Sequence, residues 1–244
     1  MKTLLELIPS ETKCIDLLAP PFSGHLHPVL AMGRVLAAQF NVRIISTQDA
    51  LERIANAGLE GVALPGAFDK PLSAIANPDY AVKNNPLRLY RQFKVAVSLL
   101  VEFESELEAF YLQESIPDLI IADFTLPVAG KVAQRMGIPW WTSLPSPCVV
   151  ETTDGPPAYC GGLKPAEKWL EKVGQFIARK KVRWFKQCVF WLFRDIIKQT
   201  GITHLYREDG TESAYSPQCI LALGYEELEF DRTWPSSVRF IGPA

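Results

Sequence analysis

His25 has the sequence context in which a side chain can do acid–base chemistry. It lies between an apolar run at 14–19, which predicts a buried parallel strand, and a run at 29–38 with apolar residues at helical spacing. Open α/β sheets place their chemistry at the carboxyl ends of strands, where a neutral imidazole can accept a proton from an alcohol. The same position would also suit a histidine that only hydrogen-bonds its own loop. Of the other two histidines, His27 suits a structural or pocket-lining role and His204 the surface.

Asp123 is the second candidate, because it directly follows the apolar run 118–122 and precedes a helical pattern at 125–136. An aspartate in that position often caps the helix. If the two strand ends are neighbours in one sheet, however, its carboxylate can contact His25, fix the ring tautomer and stabilise the imidazolium. The sequence has no Gly-x-Ser-x-Gly motif, which argues against a covalent acyl-enzyme.

Strand and helix patterns that would position these side chains alternate along the chain. Strands are predicted at 14–19, 41–46, 61–65, 118–122, 138–144, 218–223 and 238–241, helices at 28–38, 48–57, 86–112 and 125–136 with two more within 166–199, and loops at 66–85 and 145–165. Pro28 is expected at the first helical position, which suits proline. Strands separated by helices indicate an α/β fold, a Rossmann-like, doubly wound parallel sheet with helices on both faces. We expect residues 1–244 to form a single domain.

Composition narrows the function classes. The formal net charge of −2 over 244 residues gives no general attraction to nucleic acid. Five scattered cysteines without Cys-x-x-Cys spacing suggest reduced thiols in a cytoplasmic protein and no zinc site. The sequence has no apolar run long enough to span a bilayer and no Gly-x-Gly-x-x-Gly or Walker-type phosphate loop. We therefore expect neither a metal nor a bound cofactor.

Three segments together resemble the signatures of family 1 glycosyltransferases, the UDP-glycosyltransferase group. They are the Gly-His-x-x-Pro element at 24–28, the strand and helix of 117–139 that contain Asp123 and end in Gly-Ile-Pro, and Phe-Ile-Gly-Pro at 240–243. The resemblance implies the N-terminal half of a GT-B glycosyltransferase, which binds the acceptor. A C-terminal donor-binding domain, absent from this chain, would hold a nucleotide-sugar, expected to be a UDP-sugar.

The resemblance also implies roles for the two candidates. His25 would deprotonate an acceptor hydroxyl, and Asp123 would orient His25, so that the sugar is transferred with inversion of configuration. This half alone is expected to be inactive. Residues beside the two strand ends are predicted to bind the acceptor: Phe22, Ser23, Gly24, Phe124, Thr125, Leu144 and Ser146.

Residues 164–198 are rich in lysine, arginine and aromatic side chains. A stripe of Phe185, Cys188, Val189, Leu192 and Ile196 is predicted to pack on a core, whereas Trp184, Phe190 and Trp191 fall outside it. The simple interpretation is helix packing against loops. The alternative is an acceptor gate or a face on an anionic membrane, which suggests a lipophilic small-molecule acceptor and peripheral membrane contact.

Two other classes stay open on sequence alone. A non-catalytic auxiliary or binding subunit could keep the glycosyltransferase-like fold, although it would not need both His25 and Asp123. A flavodoxin-like or dinucleotide-binding oxidoreductase is the other class, and the missing glycine fingerprint argues against it.

Overall fold

Seven parallel strands form one sheet in the computed structural model, which describes residues 3–77 and 85–243. The strands are β1 Cys14–Leu18, β2 Asn41–Ser46, β3 Glu60–Ala63, β4 Leu119–Asp123, β5 Trp140–Leu144, β6 Ile220–Ala222 and β7 Val238–Phe240. Their spatial order is β3-β2-β1-β4-β5-β6-β7. The order therefore reverses between β1 and β4, and such a switch point opens a crevice at the carboxyl ends of the two strands.

Helices cover both faces of this sheet. They are α1 Leu4–Leu7, α2 Ser23–Leu36, α3 Leu51–Asn56, α4 Asp69–Ala76, α5 Pro86–Gln113, α6 Pro127–Met136, α7 Trp169–Leu192 and α8 Arg194–Ile197. Alternate residues of β4 belong to different core clusters: Leu119 and Ile121 pack with α2 and α3, while Ile120 and Ala122 pack with α5 and α6. The predicted doubly wound α/β class is confirmed.

The first turn of α2 begins earlier than predicted. The helix runs from Ser23, so Pro28 is inside it rather than at its first position. The backbone N–H groups of His25 and Leu26 both donate to the carbonyl of Phe22, which closes that turn. Pro28 cannot donate to the carbonyl four residues earlier. That carbonyl belongs to the exposed Gly24, where water can replace the missing donor.

Two further differences concern the segment 66–85 and the start of α6. The predicted loop contains α4, and its residues 78–84 lie outside the described residues. The helix predicted from residue 125 starts at Pro127, because residues 123–126 form a turn in which the N–H of Leu126 donates to the carbonyl of Asp123.

A buried polar network ties β1 to its neighbours. The Arg43 guanidinium donates from Nε to Asp16 Oδ1 at 2.8 Å and from Nη2 to Oδ2 at 2.9 Å. The Tyr111 hydroxyl donates to Asp16 Oδ2 at 2.9 Å. Asp16 is fully buried, and its hydrogen bonds raise the pKa of Arg43. The charge is therefore compensated at the centre of the sheet.

No helix within residues 3–77 and 85–243 has both the length and the apolar character needed to cross a bilayer.

Candidate active site

Two adjacent strands at the centre of the sheet position the two candidate side chains. β1 and β4 are adjacent and parallel, with Leu18 opposite Ala122 at their carboxyl ends. Asp123 is the last residue of β4. Beyond β1 the chain makes a short connection and enters α2, whose third residue is His25. The switch point in strand order thus brings together two residues 98 positions apart.

His25 and Asp123 are in direct contact. The ring nitrogen Nδ1 of His25 lies 3.1 Å from each carboxylate oxygen of Asp123. The Asp123 side chain is completely buried, whereas that of His25 is 25% exposed. An ionised carboxylate only accepts hydrogen bonds, so Nδ1 carries the ring hydrogen and Nε2 remains as a proton acceptor. A partly exposed base backed by a buried carboxylate is the arrangement that supports proton abstraction.

Thr125 holds the Asp123 carboxylate from the other side. Its backbone N–H donates to Oδ1 at 2.9 Å and its hydroxyl donates to the same atom at 2.5 Å. Asp123 therefore does not cap α6, whose N-cap is Leu126 without a side-chain hydrogen bond. The helix-capping interpretation of Asp123 is wrong, and the carboxylate is oriented by Thr125 toward the imidazole.

Two aromatic rings flank the imidazole. The ring centroid of Phe124 lies 5.5 Å from that of His25 with an interplanar angle of 31°, and Phe22 approaches edge-on at 6.3 Å and 68°. Both rings are partly buried. They restrict the imidazole and provide apolar surface beside its exposed edge, which an apolar ligand could contact.

The remaining residues predicted to bind the acceptor have different surroundings. Ser23 and Gly24 are exposed in the first turn of α2, and a Cβ added at Gly24 would meet no atom of the described residues within 4 Å. Ser146 is exposed and precedes a short 3-10 turn. Leu144 has no exposed surface and packs in a core cluster with Val150 and Tyr215, so its predicted pocket-lining role is wrong.

Sequence reasoning missed one residue of this region. Ser143 is fully buried opposite Asp123 in the β4–β5 pairing, and its hydroxyl finds no hydrogen-bond partner among the described residues. In-register neighbours project to the same face of a sheet. Aligning the two predicted strands by their apolar runs could have found it.

Within residues 3–77 and 85–243, no group of three or more histidine, cysteine, aspartate or glutamate side chains could hold a metal ion.

Comparison with known proteins agrees with this architecture. No family model and no curated protein matches the chain. Among solved structures, the glycotransferase of kitacinnamycin matches 96% of this chain over 52% of its own length, with 21% identity and a TM-score of 0.61. The calicheamicin glycosyltransferase CalG4 matches 96% over 53%, with 17% identity and a TM-score of 0.60. The Streptomyces sp. SF2575 glycosyltransferase SsfS6, complexed with thymidine diphosphate, matches 93% over 52%, with 14% identity and a TM-score of 0.52.

These likenesses define the fold. The chain has the Rossmann-like fold found in GT-B glycosyltransferases, as the sequence motifs predicted. It spans about half the length of the solved structures it matches, as an N-terminal half would.

Proposed function

We propose that this chain is the acceptor-binding and base-supplying half of an inverting glycosyltransferase. The observation that carries the proposal is the contact of His25 with Asp123 at the switch point of the sheet. The GT-B fold supports it, because solved proteins that share the fold are glycosyltransferases. The acceptor is a hydroxyl-bearing small molecule, and the donor is a nucleotide-sugar.

The pair supports a single-displacement reaction. His25 Nε2 takes the proton of the acceptor hydroxyl while that oxygen bonds to the anomeric carbon of the sugar. The bond between the anomeric carbon and the diphosphate oxygen breaks, and the nucleoside diphosphate leaves with the electron pair. Attack from the face opposite the leaving group inverts the anomeric configuration. Asp123 stabilises the imidazolium that forms, and no second acid is needed because a diphosphate leaves without prior protonation.

The donor is assigned to a second domain. SsfS6 was solved with thymidine diphosphate, so a dTDP-sugar is to be tested beside the UDP-sugar expected from the sequence motifs. The acceptor is assigned to this half and is lipophilic, since the partly buried rings of Phe22 and Phe124 flank the base. We expect no sugar transfer by this chain without a donor-binding domain.

The test compares two histidine variants in the presence of a donor-binding domain. His25→Ala should lower kcat by about 10²–10⁴, the usual contribution of a general base. His204→Ala is the matched control, because His204 is exposed and contacts its neighbour Thr203. Sugar transfer to apolar alcohols and phenols is followed by chromatography. Near-normal kcat in His25→Ala would contradict the proposal and favour a non-catalytic binding subunit.

A further inference from the structure

Helix α7 turns three of its charged side chains, Arg179, Arg183 and Lys186, toward the protein. Arg179 and Arg183 donate to backbone carbonyls of neighbouring loops at 2.6 and 3.2 Å. Lys186 Nζ lies 2.8 Å from a carboxylate oxygen of Glu151 and 2.9 Å from one of Glu212. The inner face of this helix is thus held by polar contacts, which reverses the usual arrangement of a surface helix.

The opposite face of α7 is apolar and exposed. We call it the outer stripe, and it consists of Trp169, Val173, Ile177, Trp184 and Trp191. At about 100° per residue these side chains fall within a sector of about 80° along the helix. The three tryptophans are 73%, 67% and 64% exposed, so the described residues leave their rings largely uncovered. A stripe of this kind indicates a binding surface.

The predicted core stripe therefore does not form as expected. Phe185 and Leu192 are each 52% exposed, whereas Phe190, expected outside that stripe, packs partly buried against the core of α5 and α6. Ion pairs on the inner face take the place of the predicted apolar packing.

Basic side chains border the outer stripe, and Lys180 lies within its sector, about 20° around the helix from Trp169. Of the charged residues in α7, six are basic and one is acidic, although the whole chain has a formal net charge of −2. Lys172, Lys180 and Lys181 are exposed, and the Arg194 guanidinium lies 5.2 Å from the ring centroid of Trp191. The surface around the tryptophans is consequently positive and suited to an anionic partner.

A second copy of this chain fits the stripe poorly. Lys180 lies about midway between Trp169 and Trp191, so two α7 helices packed antiparallel would place one Lys180 beside the other. A parallel pair would also bring the two Lys180 side chains together, and like charges at close range repel each other. A bilayer avoids this conflict, because tryptophan rings settle at the headgroup level and lysines extend toward anionic headgroups.

We propose that the outer stripe of α7 docks on an anionic lipid bilayer, with the helix lying in the plane of the interface. The rings of Trp169, Trp184 and Trp191 insert at the level of the headgroups, and the bordering lysines contact anionic lipid. This proposal stands independently of glycosyl transfer, since it rests on the exposure and charge of α7 alone.

Vesicle flotation of the purified 244-residue chain tests this. Vesicles of phosphatidylcholine alone are compared with vesicles that also contain phosphatidylglycerol, at low and high salt. We expect binding only to the anionic vesicles, with a partition coefficient that falls as salt rises. The combined variant Trp184→Glu and Trp191→Glu should lower the partition coefficient for anionic vesicles at least about tenfold. Leu112→Glu, at a side chain 76% exposed on α5, is the matched control and should bind like the unmodified chain.

A second pair of variants measures how much the basic side chains near the outer stripe contribute to vesicle binding. Lys180→Glu with Lys181→Glu should lower the partition coefficient at least about tenfold, since each basic residue near the surface contributes about 1 kcal/mol. Lys70→Glu with Lys94→Glu changes the net charge equally at exposed positions on α4 and α5 and should have little effect. Circular dichroism confirms that all variants fold.

No binding to anionic vesicles at low salt would overturn the proposal. It would also be overturned by equal losses in the two lysine pairs, or by tryptophan variants that bind as well as Leu112→Glu. Self-association that the tryptophan variants abolish, in a chain that does not float with vesicles, would assign the stripe to a second copy instead.

Discussion

Helices α6 and α7 turn faces of opposite character toward the rest of the protein. α6 buries its apolar side chains against the strands next to Asp123, with Val128, Val132 and their neighbours essentially inaccessible. α7 turns the half-buried, ion-paired Lys186 toward the protein and leaves Trp184 exposed. The comparison shows that the region around the histidine–aspartate pair is fixed by packing within the chain. The outer stripe of α7 is instead largely uncovered by the described residues.

The largest effect on stability is expected in the packed region. Asp16→Ala removes the carboxylate that pairs with Arg43 and accepts from Tyr111. The Arg43 side chain is only 16% exposed, so its charge would be left largely buried. We expect the free energy of unfolding in urea to fall by about 3–5 kcal/mol. Asp195→Asn is the control, because the Asp195 side chain is 89% exposed and its pair with Arg194 should contribute at most about 1 kcal/mol.

Removing the polar contacts between α7 and the rest of the protein should lower the stability by a smaller amount, which depends on pH. Lys186→Met leaves the buried Glu212 beside Glu151 without their shared cation, at a cost of about 1–3 kcal/mol near neutral pH. Burial already raises the pKa of Glu212, and loss of Lys186 should raise it further. A carboxyl group with a raised pKa in the folded state destabilises the protein when it is ionised.

The loss of stability in Lys186→Met should therefore become smaller as the pH falls through the raised pKa of Glu212 toward the ordinary value of 4.5. Urea unfolding at several pH values measures it. A loss of stability that becomes larger at low pH would show that the Glu212 carboxylate is not buried beside α7 in solution.

Replacing a glycine by alanine should lower the stability of the protein in α6 and raise it in α7. A Cβ at Gly130 in α6 would lie 2.5 Å from the ring of the buried Trp140, so Gly130→Ala should destabilise by about 1–3 kcal/mol. A Cβ at Gly174 in α7 meets no atom of the described part of the chain within 4 Å, so Gly174→Ala should stabilise the protein by about 0.5–1 kcal/mol through helix propensity. Thermal unfolding of both variants measures this difference. Equal changes in stability in the two variants would contradict the conclusion that α6 is closely packed and α7 is not.

The strands could be predicted because their local sequence agrees with their burial. The run at 118–122 became β4 Leu119–Asp123, whose residues are all buried, as expected for a strand covered on both faces. The meeting of His25 and Asp123 followed from topology, since neighbouring parallel strands end at the same edge of a sheet. Their contact needed only that β1 and β4 be adjacent.

Other features depend on contacts that local sequence does not show. The start of α2 at Ser23 was missed because Pro28 signals a first helical position, whereas the exposed Gly24 allows it inside the helix. The orientation of α7 was missed because periodicity reveals an apolar stripe without revealing which side faces the protein. Glu151 and Glu212, which hold Lys186 inward, are distant in sequence from α7.

The tautomer of His25 tests the central claim most directly, because it depends on the contact itself. With the ring neutral, NMR of the histidine ring nitrogens should find the hydrogen on Nδ1, bound to Asp123. In Asp123→Ala the carboxylate that accepts from Nδ1 is gone, so the fraction of the ring hydrogen found on Nδ1 should fall. A hydrogen on Nε2 in the unmodified chain, or an unchanged tautomer in Asp123→Ala, would contradict the assignment of His25 as a base held by Asp123.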